Sequence, residues 1–198
     1  MTKLILFVGT PGAGKSTILN SLALTTKERL SVVNLGDELL SIAKKKTGMT
    51  DREQLGMRGE EEIKKDREEA FSDIIARKHD TIIDTHLTIK YGRRYIPGVT
   101  IKELEHIRIK AIIYVDATAK EIWHRRHSDP SKANRRNIND TEAEIEEQRN
   151  INLAILSSCA ITLSIPIYII YNRDGRQEEA VNELGKIIKE HFVSQSKE

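Results

Sequence analysis

The sequence predicts an α/β fold, with a five-stranded parallel sheet flanked by helices, in a single domain over residues 1–198. Three observations predict it. Short apolar runs suited to strands recur at residues 4–8, 31–35, 81–84, 109–116 and 165–171. Stretches whose apolar residues repeat at helical spacing separate them, and strands alternating with helices imply parallel strands joined by crossovers. The third observation is the glycine-rich segment between the first strand and the first helix.

That segment is Gly9-Thr10-Pro11-Gly12-Ala13-Gly14-Lys15-Ser16-Thr17, which fits G-x-x-x-x-G-K-[ST] without a mismatch. Leu4 to Val8 is a continuous apolar run, as a strand buried on both faces requires. Thr17 to Leu24 reads as a helix with Ile18, Leu19 and Leu22 on one face. The glycines let successive backbone N–H groups turn towards one anion, and the helix N-terminus adds its dipole. Lys15 then reaches the β- and γ-phosphates of a nucleotide and Ser16 ligates Mg²⁺, which makes this a P-loop NTPase core.

The second strand, Ser31–Leu35, leads through Gly36-Asp37 to a helical pattern from Glu38 to about Lys46. Residues 51–69 are dense in charge of both signs. Apolar residues from Ile63 recur at Ala70, Phe71, Ile74 and Ile75, the mark of an amphipathic helix. The third strand, Thr81–Asp84, ends on a carboxylate where sites in open α/β sheets lie. Asp84 there suits Mg²⁺ held through water; a turn or cap role is the alternative. Tyr95-Ile96-Pro97-Gly98 reads as a turn, and Thr100 as the cap of a short helix through Leu104.

The fourth strand, Ile109–Asp116, precedes a helix from about Ala119 to His127. Residues 125–136 then carry Arg125, Arg126, Lys132, Arg135 and Arg136 against Asp129 alone, a local charge of +4. With Pro130 and Ser131 inside it, the segment reads as a loop, either solvated or closing over phosphates, whose oxygens arginine matches bidentately. Thr141 or Asp140 starts a long helix, with Thr141 and Glu144 at capping-box spacing. The fifth strand tolerates Pro166 only near its start. After the turn Asn172–Gly175, Glu178 to Phe192 forms the last helix. The segments at 36–75 and 125–140 are expected to be mobile appendages on the core.

Composition narrows the function. The chain has 32 basic and 30 acidic residues, a net charge of +2, too balanced to advertise a nucleic-acid or membrane surface. One cysteine, Cys159, excludes an intrachain disulfide and suits a reducing cytosol, and the first strand leaves no room for a signal peptide. A cytoplasmic protein is therefore expected. A phosphate loop alone does not separate kinase, GTPase and motor. The chain is short for a motor, and Val115-Asp116-Ala117-Thr118 stands where a GTPase carries an Asn-Lys-x-Asp-like stretch. A small kinase needs an acceptor site and an arginine-rich cover, and both are available.

With these residues in view, the chain resembles an archaeal-type adenylate kinase over nearly its whole length. The most specific pieces are Val8 to Lys15, then Asp84-Thr85-His86 with Ile89-Lys90, then Tyr95 to Gly98; Arg125-Arg126 with Asp129 and Asn134-Arg135 is similar to the family's lid. The resemblance implies ATP + AMP ⇌ 2 ADP with Mg²⁺, and typically a homotrimer. It implies that Gly36-Asp37 opens the monophosphate-binding region and that Arg126, Arg135 and Arg136 cap the transferring group. Arg58 and Arg149 are then the candidates for the acceptor phosphate, with His86 either contacting the acceptor or shaping the loop after the third strand. The ATP adenine is expected near Asn172–Arg176 by analogy of fold. Three positions depart from the family: Arg58 stands later than the expected arginine, Arg135 and Arg136 are adjacent rather than one residue apart, and Leu153 occupies an expected arginine position. Two alternatives stay open: a kinase for another monophosphate or small acceptor, and an ATP-binding switch without turnover.

Overall fold

The computed structural model describes residues 2–25, 31–51, 54–55, 58–128 and 140–193. In chain order these form β1 (Leu4–Gly9), α1 (Lys15–Thr25), β2 (Ser31–Asn34), α2 (Leu35–Thr47), α3 (Glu60–Ala76) and β3 (Thr81–Asp84). Then come β4 (Thr88–Tyr91), β5 (Arg94–Pro97), α4 (Ile101–Ile107), β6 (Ala111–Asp116), α5 (Ala119–His127) and α6 (Glu142–Leu163). The chain continues through β7 (Ile167–Tyr171) and α7 (Gln177–Ile188) to a π-helical turn, Lys189–Val193. The main sheet runs β2-β3-β1-β6-β7, all parallel, and β4-β5 is a separate antiparallel pair.

Alternation along the central strands splits the core in two. Leu4, Leu6 and Val8 pack on one face with Ile83, Ile112 and Tyr114 beneath α2, α3, α4 and α6. Ile5 and Phe7 point the other way, with Ile82, Ile113 and Val115, towards α1, α5 and α7. Burial on both faces is why these strands read as unbroken apolar runs. The connection leaving β1 goes to β2 on one side, and that leaving β6 goes to β7 on the other. A crevice therefore opens at the carboxyl ends of β1 and β6, the usual place for a ligand in an open α/β sheet.

Four sequence expectations change. The helix after β2 starts at Leu35, because the Asn34 side chain accepts the Asp37 N–H and caps it; Gly36 and Asp37 lie in its first turn. Residues 95–97 are not a turn but most of β5, paired with β4 at Thr88↔Pro97 through Tyr91↔Arg94, and the turn is at Gly92. Arg125 and Arg126 belong to the last turn of α5 rather than to a loop. Finally, the segment between β2 and β3 does not stand off the core: Leu35, Ile42, Ala70, Phe71 and Ile74 are buried in the cluster that holds Leu4 and Leu6. Cys159 is buried in the same cluster, and burial pushes its thiol pKa up. Thr141, not Asp140, is the cap of α6, in a capping box with Glu144.

Candidate active site

The phosphate loop crosses the mouth of the crevice from β1 to α1. Gly12 and Gly14 take φ of +92° and +93°, the left-handed region that a side chain would strain. Space forbids one as well, since a Cβ at Gly14 would lie 2.2 Å from Asn172 Nδ2. Thr10 O accepts the Ala13 N–H at 2.9 Å, and Ser16 and Thr17 are exposed in the first turn of α1, next to the free end of its dipole.

Lys15 is only 7% exposed, and its Nζ lies 3.8 Å from Asp84 Oδ1 and 3.4 Å from His86 Nε2. Asp84 is carried to this point by the β1–β3 pairing, which sets it beside Phe7. Asn34, at the end of β2, donates to Asp84 Oδ2 at 2.8 Å and so fixes the carboxylate while capping α2. The His86 backbone lies close against Gly98, where a Cβ would meet the His86 carbonyl at 2.0 Å.

The outer side of the loop is held by side chains. A loop that turns its N–H groups inward turns carbonyls outward, and these need donors when buried. Arg126 supplies two to Pro11 O, from Nε at 3.1 Å and Nη2 at 2.7 Å. Arg125 Nη1 and Asn172 Nδ2 donate to Ala13 O at 3.3 and 2.8 Å. Arg125 also reaches Asn172 O and Asp174, which ties the loop after β7 to the phosphate loop. Arg126 is buried, 5% exposed, and burial lowers its pKa against the opposing pull of Asp140, to which its Nη1 donates at 3.0 Å. Below the loop, Thr10 Oγ1 bonds the Tyr114 hydroxyl at 3.1 Å and accepts from Asn152 at 3.3 Å; Asn152 accepts from Thr88 at 2.7 Å. That chain links the loop through α6 to β4.

The other predicted residues are spread around this centre. Arg149 makes a bidentate pair with Asp116 at the end of β6, at 2.9 and 2.8 Å, and chiefly for that reason its pKa is raised. Arg58 pairs with the buried Asp66 of α3, which Lys46 Nζ also contacts at 2.9 Å. Gly36 and Asp37 sit at the N-terminus of α2, close to Asp84 through Asn34. Arg135 and Arg136, with the rest of 129–139, lie outside the described residues. In the loop expected to hold adenine, Asn172 is buried, and Arg173 lies over the Tyr171 ring at 5.1 Å. Sequence reading passed over Asn34, Lys90 and Asp140 as site residues. Asn34 alone had a visible signal, an N-cap residue with Asp37 and Glu38 after it.

A family model described as an AAA domain matches residues 8–146. The adenylate kinase of Thermoplasma acidophilum is 30% identical over 91% of this chain and 95% of its own length. The chain belongs to the adenylate kinase family. Adenylate kinases of Pyrobaculum aerophilum and Methanopyrus kandleri are each 31% identical over 96% of this chain, covering 94% and 99% of their own lengths. The family makes the chain a kinase, a phosphotransferase. Among solved structures, shikimate kinase from Acinetobacter baumannii in complex with shikimate superposes with a TM-score of 0.58 at 16% identity, over 98% of this chain and 96% of that one. That likeness shows the fold: a small P-loop kinase core. No helix among the described residues is long and apolar enough to cross a membrane.

Proposed function

We propose that the chain catalyses Mg²⁺-dependent transfer of the γ-phosphoryl group of ATP to AMP, reversibly, giving two ADP. The observation that carries this reading is the buried Lys15–Asp84 pair, 3.8 Å apart, at the inner side of an intact phosphate loop. Phosphoryl transfer asks for in-line positioning and neutralised charge rather than a protein nucleophile. The loop amides, Lys15, Ser16 and Thr17 bind the ATP phosphates. The Ser16 hydroxyl and the Asp84 carboxylate are hard oxygen donors of the kind Mg²⁺ takes, with Asp84 acting through water. Bound there, the ion would neutralise charge that builds on the phosphate oxygens.

On the same reading Arg135 and Arg136 meet the transferring group, Arg126, expected there as well, holds the phosphate loop from its outer side through Pro11 O, and the adenine of ATP rests near Asn172–Arg176. The acceptor lies towards Gly36, Asp37 and His86, with Arg58 and Arg149 exchanging Asp66 and Asp116 for its phosphate. The segments 36–75 and 125–140 serve as monophosphate-binding region and lid. A homotrimer and a cytosolic setting, with no membrane or nucleic-acid partner, complete the proposal. The test is steady-state turnover of ATP with AMP, CMP, UMP and GMP in parallel. AMP is expected to be the preferred acceptor. A preference for another monophosphate would reassign the substrate, and ATP binding without turnover of any acceptor would make the chain a switch.

A further inference from the structure

Lys90, on β4, is a lysine only 6% exposed, outside the main sheet. A buried ammonium is tolerated only when paired. Its Nζ donates to Asp140 Oδ1 and Glu144 Oε1, both at 2.8 Å. Burial works against its charge, but the two carboxylates outweigh it, and its pKa stands above the ordinary 10.5. Asp140 has a second oxygen, and Oδ2 takes the Arg126 Nη1 at 3.0 Å. Arg126 in turn donates twice to Pro11 O, and its stem lies against Gly12, within 3.3 Å of a Cβ built there. One carboxylate thus serves two buried cations, and the order of contacts runs from β4, through the residue before the cap of α6, to the end of α5 and the back of the phosphate loop.

We propose that Asp140 is a positioning residue: by holding Lys90 and Arg126 on its two oxygens it fixes Arg126 against the Pro11 carbonyl, and with it the phosphate loop. It touches no substrate and acts through Arg126. Glu144 does not replace it, because Glu144 is spent on Lys90 and on the cap of α6. An asparagine at 140 keeps the shape but loses the charge that two cations share.

The turnover arm of the test rests on the adenylate kinase reading; the exchange arm does not. Three full-length variants are needed: Asp140→Asn, Lys90→Met and the double variant. Each is compared with the unaltered chain for kcat and KM with ATP and AMP, for thermal midpoint, and for amide hydrogen exchange of residues 12–16 without nucleotide. Asp140→Asn should lower kcat on the order of 10²-fold, the usual effect of misplacing a reacting group by about 1 Å. KM for AMP should change much less, and exchange in the loop should quicken. In the double variant the buried lysine left with Glu144 alone is gone, so the thermal midpoint should rise back towards that of the unaltered chain while kcat stays low and exchange stays fast. A purely structural Asp140 predicts the opposite, with kcat and exchange returning along with the midpoint, and that result would overturn the proposal. So would a Lys90→Met variant that lost as much kcat as Asp140→Asn. If Asp140→Asn does not fold, the double variant decides alone. Absence of AMP turnover in the unaltered chain would sink the functional reading, and loop exchange would still judge Asp140.

Discussion

The two ends of the site are built on different principles. On the proposed ATP side the loop from Gly9 to Ser16 would bind through its own backbone, and Arg125, Arg126 and Asn172 hold it from outside through carbonyls. On the proposed acceptor side Arg58 and Arg149 are ion-paired with carboxylates, Asp66 and Asp116. Backbone recognition needs consecutive residues in fixed spacing. Side-chain recognition needs residues that only the fold brings together, each in exchangeable ion pairs. The first kind is already held by contacts to Pro11 O and Ala13 O, whereas the second would have to trade one anion for another.

Mutations can break that contrast. The largest effect is expected at Lys15: Lys15→Ala should cut kcat on the order of 10³-fold with either nucleotide varied, because the charge acts on the transferring oxygens in a buried site. A folded variant with near-normal turnover would remove Lys15 from the mechanism. Arg58→Ala should be milder and one-sided. Loss of a charge-assisted contact worth about 1.5–3 kcal/mol would raise KM for AMP roughly 10- to 100-fold while KM for ATP stays put. Equal changes in both constants would show that the two ends are not separate.

The smallest expected effect is in acid. Hydrogen bonds from Lys90 and Thr141 hold the Glu144 pKa down at about 2. Glu121 also stands at about 2, where burial opposes but hydrogen bonds from Thr118 and the Asp174 N–H prevail. A depressed carboxylate stabilises the fold above its unfolded pKa of about 4.5, and that part is lost as pH falls towards about 2. These two groups should therefore add no pH dependence between neutrality and pH ~5 and a falling thermal midpoint below pH ~4.5. Glu144→Gln should make the acid decline shallower. An unchanged slope would take the Lys90 clamp out of the acid response.

The same division explains what the sequence disclosed. The strand–loop–helix unit was legible because phosphate binding by backbone fixes both residue types and spacing, and the strands were legible because both their faces are buried. The β4–β5 pair was not. It is short, its Pro97-Gly98 end carries turn residues, and its inward Lys90 looks like a surface charge until Asp140, fifty residues away, is placed beside it. Arg126 was recognisable as basic and useful, but its hold on Pro11 spans 115 positions in the chain. No local pattern encodes that. The early start of α2 was missed because Gly36 breaks the helical pattern, although Asn34 marks the cap.

The Arg126–Asp140 pair also has a meaning for how such a chain varies. It joins the last turn of α5 to the residue before the cap of α6, so one carboxylate ties the register of one helix to the start of the other. An insertion or deletion of one residue inside α5 would turn Arg126 by about 100° around the helix, away from both Pro11 and Asp140. Changes of length in that helix should therefore cost more than point substitutions on its surface, because they pull the ion pair, and the phosphate loop behind it, out of register together.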